Sequence, residues 1–264
     1  MSDLYAFILL GLLAGFSAGL LGIGGGSITV PILFFILRKI NLPHVDLMQV
    51  VIGTTFAAMC LNSLVSMITH HFLRNIRWKL FFMMLPALII GPIVGSLIAT
   101  HLNDTILRYL FGSFQCLIAL YFFLPIKLQE EGTDLPSPIV LNSACFAIGT
   151  IGSILGIGGG ILLVPFLSFL KIPLKKAIGT SAAATFIMIF LSTICYFLLG
   201  LNEQTVGTEE VGFVYLPAFL GIGLSSVVGA PIGAYLVQFL PTQPLKKIFA
   251  IAQAALGIIL ITQS

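Results

Sequence analysis

Charged residues are scarce in this chain. Of its 264 residues only 8% are Asp, Glu, Lys or Arg, whereas 58% are apolar. A soluble domain carries roughly a quarter charged residues, so this composition excludes a surface that is covered by water. The 12 basic and 9 acidic residues fall in or beside short connections, and the apolar runs between them reach the roughly 20 residues that cross a bilayer. The composition predicts an integral membrane protein surrounded by lipid.

Other signals are also missing. The net charge of +3 comes from basic residues spread over loops, without the basic stripe that binds nucleic acid. The four cysteines lie in apolar spans without CxxC spacing, which indicates packing rather than a disulfide or metal site. The start lacks the basic segment of a signal peptide, so we expect the first apolar stretch to remain in the mature protein.

One short phrase occurs twice. Leu-Gly-Ile-Gly-Gly-Gly fills 21–26 and again 155–160, 134 positions later, and each copy is followed by Val-Pro. Glycine runs weaken a helix, and bare backbone at membrane depth is tolerated only where protein or a polar cavity adjoins it. A matched pair of glycine-interrupted apolar segments is the sequence feature that best indicates a transporter's binding site.

The rest of the chain repeats in the same order, which indicates a duplication. We predict a first transmembrane repeat over 1–126, a polar linker over 127–138 and a second repeat over 139–264. The predicted fold is all-α: a polytopic bundle of transmembrane helices in two homologous halves, each with a glycine-broken first helix. The further matches are Gly15 with Gly149, Gly53 with Gly179, Gly91 and Gly95 with Gly229 and Gly233, and Gln115 with Gln253.

The first apolar stretch, 4–37, would be about 51 Å long as one helix, too long for one crossing. We therefore predict a helix to about Leu21, a glycine turn and a shorter helix from about Ser27. Further spans are predicted at 45–72, 78–100 and 106–124, and the second half repeats them at 139–170 (broken), 174–199, 211–239 and 245–261.

The basic residues also bear on orientation. If each broken stretch crosses once, the repeats are parallel with eight spans, and the 12 basic residues divide 8 to 4 between the two sides. If each stretch enters and returns, the halves are inverted and the division is 9 to 3. The positive-inside rule and the length argument favour inverted repeats, while eight or ten membrane segments remain open. Both arrangements place the termini outside the cytoplasm.

The two glycine breaks are candidate anion sites. Glycines allow several backbone N–H groups to face one concavity, and the N-terminus of the following helix adds a partial positive charge. Close helix packing is the alternative explanation. Neither copy has the Gly-Lys-Ser/Thr ending of a nucleotide-binding loop. The candidate substrate-binding residues at the breaks are Gly24, Gly25, Gly26, Ser27, Gly158, Gly159 and Gly160.

A pair of hydroxyl residues follows a glycine about one turn into the next span of each half. The first pair is Thr54-Thr55 and the second is Thr180-Ser181. These hydroxyls are candidate donors to an oxyanion. They could equally bond to a carbonyl of the preceding turn or join two helices.

Gln115 and Gln253 are the clearest polar residues deep in the last span of each half. An amide in hydrocarbon must find partners, so each glutamine is predicted either to line the substrate site or to bridge helices. Asn62 and Asn142 are weaker candidates, because neither has an amide counterpart in the other half.

Catalysis is the least favoured function class. No nucleophile–base pair or metal cluster lies within the spans, and no ATP-binding motif is present, so we predict neither an enzyme nor a cofactor nor a metal site. No Asp or Glu lies in the middle of a span, which disfavours a carboxylate relay and cation transport and favours transport of anions by neutral donors.

The motifs together resemble one family. The doubled Gly-Ile-Gly-Gly-Gly…Val-Pro, the Gly-Thr-Thr/Ser of the following span and the Gly-x-x-x-Gly of the third resemble the sulfite exporter TauE/SafE family, also called the toluene sulfonate uptake permease family. The resemblance covers about Ala6 to Leu260. It implies a multi-pass transporter of small anions in the cell inner (plasma) membrane, of the sulfite or organosulfonate type. The residues carried over are 22–26 with Pro31 and 156–160 with Pro165.

The predicted function is a secondary transporter, in the exporting direction, that binds a small anion near the midplane at the helix breaks. One half would move against the other, driven by an ion or substrate gradient. A passive anion channel lined by the same donors is the alternative. The sequence leaves the anion, the coupling ion and assembly into a homo-oligomer open.

Overall fold

A computed structural model describes residues 2–21, 25–40, 46–123, 137–201, 209–236 and 242–262. Within these ranges the chain forms ten helices and one short two-stranded antiparallel hairpin. The first half contains α1 (Ser2–Leu21), α2 (Gly26–Lys39), α3 (Leu47–Phe72), α4 (Trp78–Thr100) and α5 (Asp104–Phe123). The second half contains α6 (Pro138–Ile154), α7 (Gly160–Phe169), α8 (Leu174–Gly200), β1 (Glu210–Val211), β2 (Val214–Tyr215), α9 (Leu216–Leu236) and α10 (Thr242–Thr262).

The all-α membrane fold predicted from the sequence is confirmed. Each half starts with a helix that is interrupted at the glycine phrase and resumes as a shorter helix. Among the described residues three helices are long and apolar enough to cross a membrane: α3, α4 and α8. Shorter apolar helical segments lie in α1, α6, α7, α9 and α10. The hairpin before α9 was not predicted. Most of the predicted linker lies outside the described residues.

The two halves interlock through their first helices. α1 packs against α9 of the second half, and α6 packs in the same way against α4 of the first half. Glycines make both contacts close: a Cβ on Gly15 would collide with the carbonyl oxygen of Ser226, and one on Gly95 with that of Thr150. Only small residues allow two helices to approach this closely.

The contacts repeat between the halves with the partners exchanged. α3 packs against α9 as α8 packs against α4, while α3 meets its counterpart α8 and α5 meets its counterpart α10. This pattern suits two repeats related by a twofold axis that passes near the α3–α8 and α5–α10 contacts. Whether the halves are inverted across the membrane stays a prediction.

Two apolar clusters fill the interior. One joins α2 and α3 with parts of α1, α5, α8, α9 and α10, and the other joins α4, α6 and α7 with the first part of α8. Large apolar side chains also cover the outside, as on α1, where Leu9 is 60% exposed and Leu13 is 49% exposed. Such an outer surface suits lipid rather than water.

The α1–α9 contact generates a stability prediction. Gly15→Ala should destabilise the fold by about 1–3 kcal/mol, because the new methyl group would strike the Ser226 backbone and overpacking costs that much. The matched control is Gly223→Ala, where the nearest atom is the flexible end of Leu61 at 3.2 Å. Here the better helix propensity of alanine, worth up to about 1 kcal/mol, should prevail.

The measurement is the thermal unfolding midpoint of each purified variant in detergent. A lower midpoint for Gly15→Ala, with no loss for Gly223→Ala, is the expected result. Equal midpoints would contradict close backbone contact between α1 and α9.

Candidate functional site: two adjoining helix breaks

The first break lies at the start of α2. Gly25 is the N-cap residue, and none of the described side chains caps the helix there. The carbonyl oxygen of Gly25 accepts the N–H of Ile28 at 3.1 Å and of Thr29 at 2.9 Å, and it also accepts the Thr29 hydroxyl at 2.9 Å. Gly25, Gly26 and Ser27 are buried. A helix N-terminus thus lies inside the protein without a capping side chain, where its N–H groups attract an anion. Gly24 lies outside the described residues.

The second break folds back on the helix that precedes it. The N–H groups of Ile157 and Gly158 both donate to the carbonyl oxygen of Gly152, at 3.0 and 3.4 Å. The φ angles of Gly156, Gly158 and Gly159 are +71°, +69° and +75°, a region that side-chain-bearing residues rarely adopt. The repeated glycines are therefore needed here by the backbone itself, and not only for packing.

The two breaks touch each other in the interior. A Cβ on Gly26 would collide with the carbonyl oxygen of Gly156 and would lie 3.0 Å from the Cα of Ile157. α3 and α8 support the breaks equivalently, since Met59 lies beside Gly26 as its counterpart Thr185 lies beside Gly160. The structure thus brings the candidates Gly25, Gly26 and Ser27 next to the second phrase.

A proline four residues after Ser27 explains the next contact. In an α-helix the Ser27 carbonyl would accept the N–H of residue 31, but Pro31 has none. The amide nitrogen of Gln115 donates to this carbonyl oxygen instead, at 2.5 Å. The amide nitrogen of Gln253 donates to the Ser27 hydroxyl at 3.1 Å. Both glutamines are almost fully buried, so two helices from different halves converge on one residue of α2.

This convergence is unequal between the halves. In the second half the carbonyl of Ile161 also lacks its helical N–H donor, because Pro165 stands four residues later. In the described part of the chain no side-chain hydrogen bond reaches it, and both glutamines serve the first half. Their side-chain oxygens have no partner among the described residues. Because these oxygens are acceptors, the pair suits a role in holding α2 better than direct contact with an oxyanion.

The hydroxyl pairs lie at inter-half contacts. The Thr54 hydroxyl accepts the N–H of Tyr215 at 2.9 Å, and the Thr180 hydroxyl accepts the N–H of Arg77 at 3.0 Å. Each therefore fixes the segment that enters a helix of the other half, the joining role that the sequence left open. Thr55 and Ser181 are buried, and the Thr55 hydroxyl has no partner among the described residues.

A cleft adjoins the first break. It lies between α1, the start of α2, α3 and α9, and its lining includes Gly25, Thr29, Asn62 and Ser226. Thr29 and Ser226 were not among the sequence candidates, and Asn62 ranked low because it has no amide counterpart. The signal that could have found them is the difference between the halves, because Leu163, Met188 and Leu88 stand at the positions that correspond to Thr29, Asn62 and Ser226.

The comparisons with known proteins agree with the motifs. The family model described as sulfite exporter TauE/SafE matches residues 7–260. The chain belongs to this family. The resemblance inferred from the doubled glycine phrase is thus confirmed, and the chain is a membrane transporter.

Several relatives align over nearly their full length. A Haemophilus influenzae protein named "Probable membrane transporter protein" is 33% identical, with 94% of this chain and 96% of that protein covered. A similarly named Methanocaldococcus jannaschii protein is 27% identical, with 96% and 94% covered. The Bacillus subtilis protein named "Probable membrane transporter protein YunE" is 25% identical, with 95% and 94% covered. No solved structure is significantly similar.

The Gln115 contact predicts a double-mutant rescue. Gln115→Leu should destabilise this TauE/SafE protein by about 1–3 kcal/mol, because it leaves the buried Ser27 carbonyl without a donor. Pro31→Ala supplies an N–H at the position from which an α-helix satisfies that carbonyl. The loss caused by Gln115→Leu should therefore be smaller in the Pro31→Ala background.

Unfolding midpoints of the two single variants, the double variant and the unaltered protein measure this coupling. Gln253→Leu is the control, because its partner is a hydroxyl that Pro31→Ala does not replace. Strictly additive losses for Gln115→Leu and Pro31→Ala would contradict the proposed link.

Proposed function

We propose that this protein is a secondary transporter that exports small anions of the sulfite or organosulfonate type across the cell (inner, plasma) membrane, as a multi-pass protein. The observation that carries the proposal is the contact between the two buried helix breaks. Family membership supports it by making the chain a membrane transporter. The anion would bind near the midplane, where the glycine phrases interrupt the helices.

The chemistry of the breaks favours an anion. α2 begins in the interior after the N-cap residue Gly25, and α7 begins there after the N-cap residue Gly159, so both N-termini carry partial positive charge. The described acidic residues that lie nearest in sequence to a span, such as Asp46 and Asp104, are at helix starts. A carboxylate near the centre would repel the solute, whereas N–H and hydroxyl donors can bind it and release it without an ion pair.

Alternating access would use the interlocked halves. Because α1 and α6 each pack against the other half, the bundle cannot separate into two independent bodies at the linker. We expect instead that the pairs α1–α9 and α4–α6 tilt around the central α3–α8 and α5–α10 contacts, exposing the breaks to one side at a time. Inverted repeats would make the two tilted states similar in structure.

A passive anion channel is the second candidate. The same buried N-termini could line a pore, because selectivity by backbone dipoles does not require coupling. A transporter shows saturable uptake and exchange of internal for external substrate, whereas a channel carries flux that rises steadily with concentration. No cofactor or nucleic acid enters either mechanism.

Reconstitution into proteoliposomes tests the function. Purified protein should give saturable uptake of labelled sulfite, with sulfate, thiosulfate and taurine as competitors and protein-free vesicles as the control. Preloaded unlabelled sulfite should accelerate entry of label. Unsaturable flux without this acceleration would support the channel, and absence of any anion flux would overturn the proposal.

The glycine breaks should tolerate substitution unequally. Gly25 has an ordinary helical φ of −80°, so Gly25→Ala should fold and reduce uptake because its methyl group contacts Ala14 at 3.2 Å. Gly159→Ala forces a side chain onto a residue with φ +75°, at a cost of about 1–3 kcal/mol. It should lower the folded yield and the thermal midpoint.

Valine at either position should abolish uptake. Membrane yield, size-exclusion profile and initial uptake rate separate the effects on folding and on binding. Full uptake by correctly folded Gly25→Val would count against the first break as the binding site.

A further inference from the structure

The described residues that line the cleft beside Gly25 include no charged side chain. Its described lining combines small residues such as Ala14 with the polar side chains of Thr29, Asn62 and Ser226, and none of them is ionised. The cavity itself measures about 10 Å³, about the room that one water needs, so an oxyanion enters it only when α1 and α9 move apart. The cleft lies near the middle of α3 and α9, so it would be at mid-membrane depth.

Asn62 is the polar group that lacks a partner. It is 9% exposed and lines the cleft, and it makes no hydrogen bond with any other described residue. Asn142 differs, because its amide donates to the carbonyl oxygens of Met83 and Pro138. An amide in an apolar interior destabilises the fold when it is unpaired. A free amide that faces a cleft therefore indicates a ligand or water held there.

Two hydroxyls beside Asn62 are available to a ligand. Thr29 donates to the Gly25 carbonyl at 2.9 Å, and Ser226 donates to the Gly223 carbonyl at 2.8 Å. Each of these bonds joins a hydroxyl to the preceding turn of its own helix. Either hydroxyl can therefore rotate away from that carbonyl and donate to a bound solute. Together with the N-terminus of α2, they give the cleft several neutral donors.

The repeat shows what the second half has at the same places. Residues correspond at a spacing of 134 in α1–α2 and α6–α7, of 126 in α3 and α8, and of 138 in α4 and α9. The residues that correspond to Ala14, Thr29, Asn62 and Ser226 are then Ile148, Leu163, Met188 and Leu88.

Larger apolar side chains therefore fill the second position. Met188, Leu163 and Leu88 are at most 1% exposed, and they belong to one apolar cluster against which Ile148 packs. A Cβ on Gly159 would lie 2.8 Å from the terminal methyl of Met188 and 3.3 Å from Ile148. The equivalent of the cleft is closed by the side chains that replaced the polar ones.

We infer that the substrate pocket is one-sided. A small oxyanion binds in the cleft beside the first break, where the Asn62 amide is its specificity-determining donor, and the second break is a packed support. This inference rests on the proposed transport function and names the residues of its site. Because the cleft holds neutral donors and small walls, it selects few-atom oxyanions over bulky aromatic sulfonates.

Matched leucine variants test this inference by transport. Asn62→Leu keeps the side-chain size but removes the donor, and should raise the apparent Km for sulfite in proteoliposomes about tenfold or more, the effect of losing one hydrogen bond to a charged group. Met188→Leu, its counterpart, should change the Km by less than about twofold. Asn62→Asp should lose uptake further, because a carboxylate repels the anion.

A labelling experiment tests the cleft without relying on transport. In a variant whose four native cysteines are replaced by alanine, Asn62→Cys should react with a small methanethiosulfonate reagent at least about tenfold faster than Met188→Cys. Sulfite should slow only the Asn62→Cys reaction. Size-exclusion profiles confirm that both variants are folded.

The outcomes separate the two proposals. Equal labelling rates, or equal Km changes for the two leucine variants, would overturn the one-sided pocket even if sulfite uptake is saturable. One-sided labelling in a protein that carries no sulfite would overturn the sulfite assignment and support the pocket for another solute.

Discussion

The structure depends on satisfying backbone polar groups where two helices are broken inside the bilayer. Water is absent there, so each free N–H or carbonyl must find a protein partner or a solute. The chain meets this demand in two ways: the N–H groups of Ile157 and Gly158 donate to the Gly152 carbonyl, and the amide of Gln115 donates to the carbonyl that Pro31 leaves open. The N-terminus of α2 beside the cleft has no capping side chain among the described residues, and it is where we propose that the solute binds.

Much of this fold could be predicted from the sequence. The glycine phrase, followed by Val-Pro, indicated where the first helix of each half breaks, because glycine and proline act on the backbone locally. The exchange of α1 and α6 between the halves could not be predicted, since it depends on which small-residue faces meet. The repeat matches Gly15 with Gly149 and Gly91 with Gly229, but it does not show against which helix each of them packs.

The candidate site, too, could be predicted from the sequence only in part. Symmetry led to Gln115 and Gln253, and these glutamines do converge, but on α2 itself. The same reasoning gave Asn62 little weight because its counterpart is Met188. On the one-sided pocket proposed above, the two copies share the scaffold and one of them supplies the donors. Positions where the copies differ inside the shared frame then indicate substrate contact better than matched positions do.

The central claim is that one break binds the solute while the other supports it. Crystals soaked in selenite, an anomalously scattering analogue of sulfite, test this claim most directly through an anomalous difference map. The account predicts one peak in the cleft, within hydrogen-bonding distance of the Asn62 amide and beside the first turn of α2. A peak beside Gly159 instead, or peaks of equal height at both breaks, would contradict it.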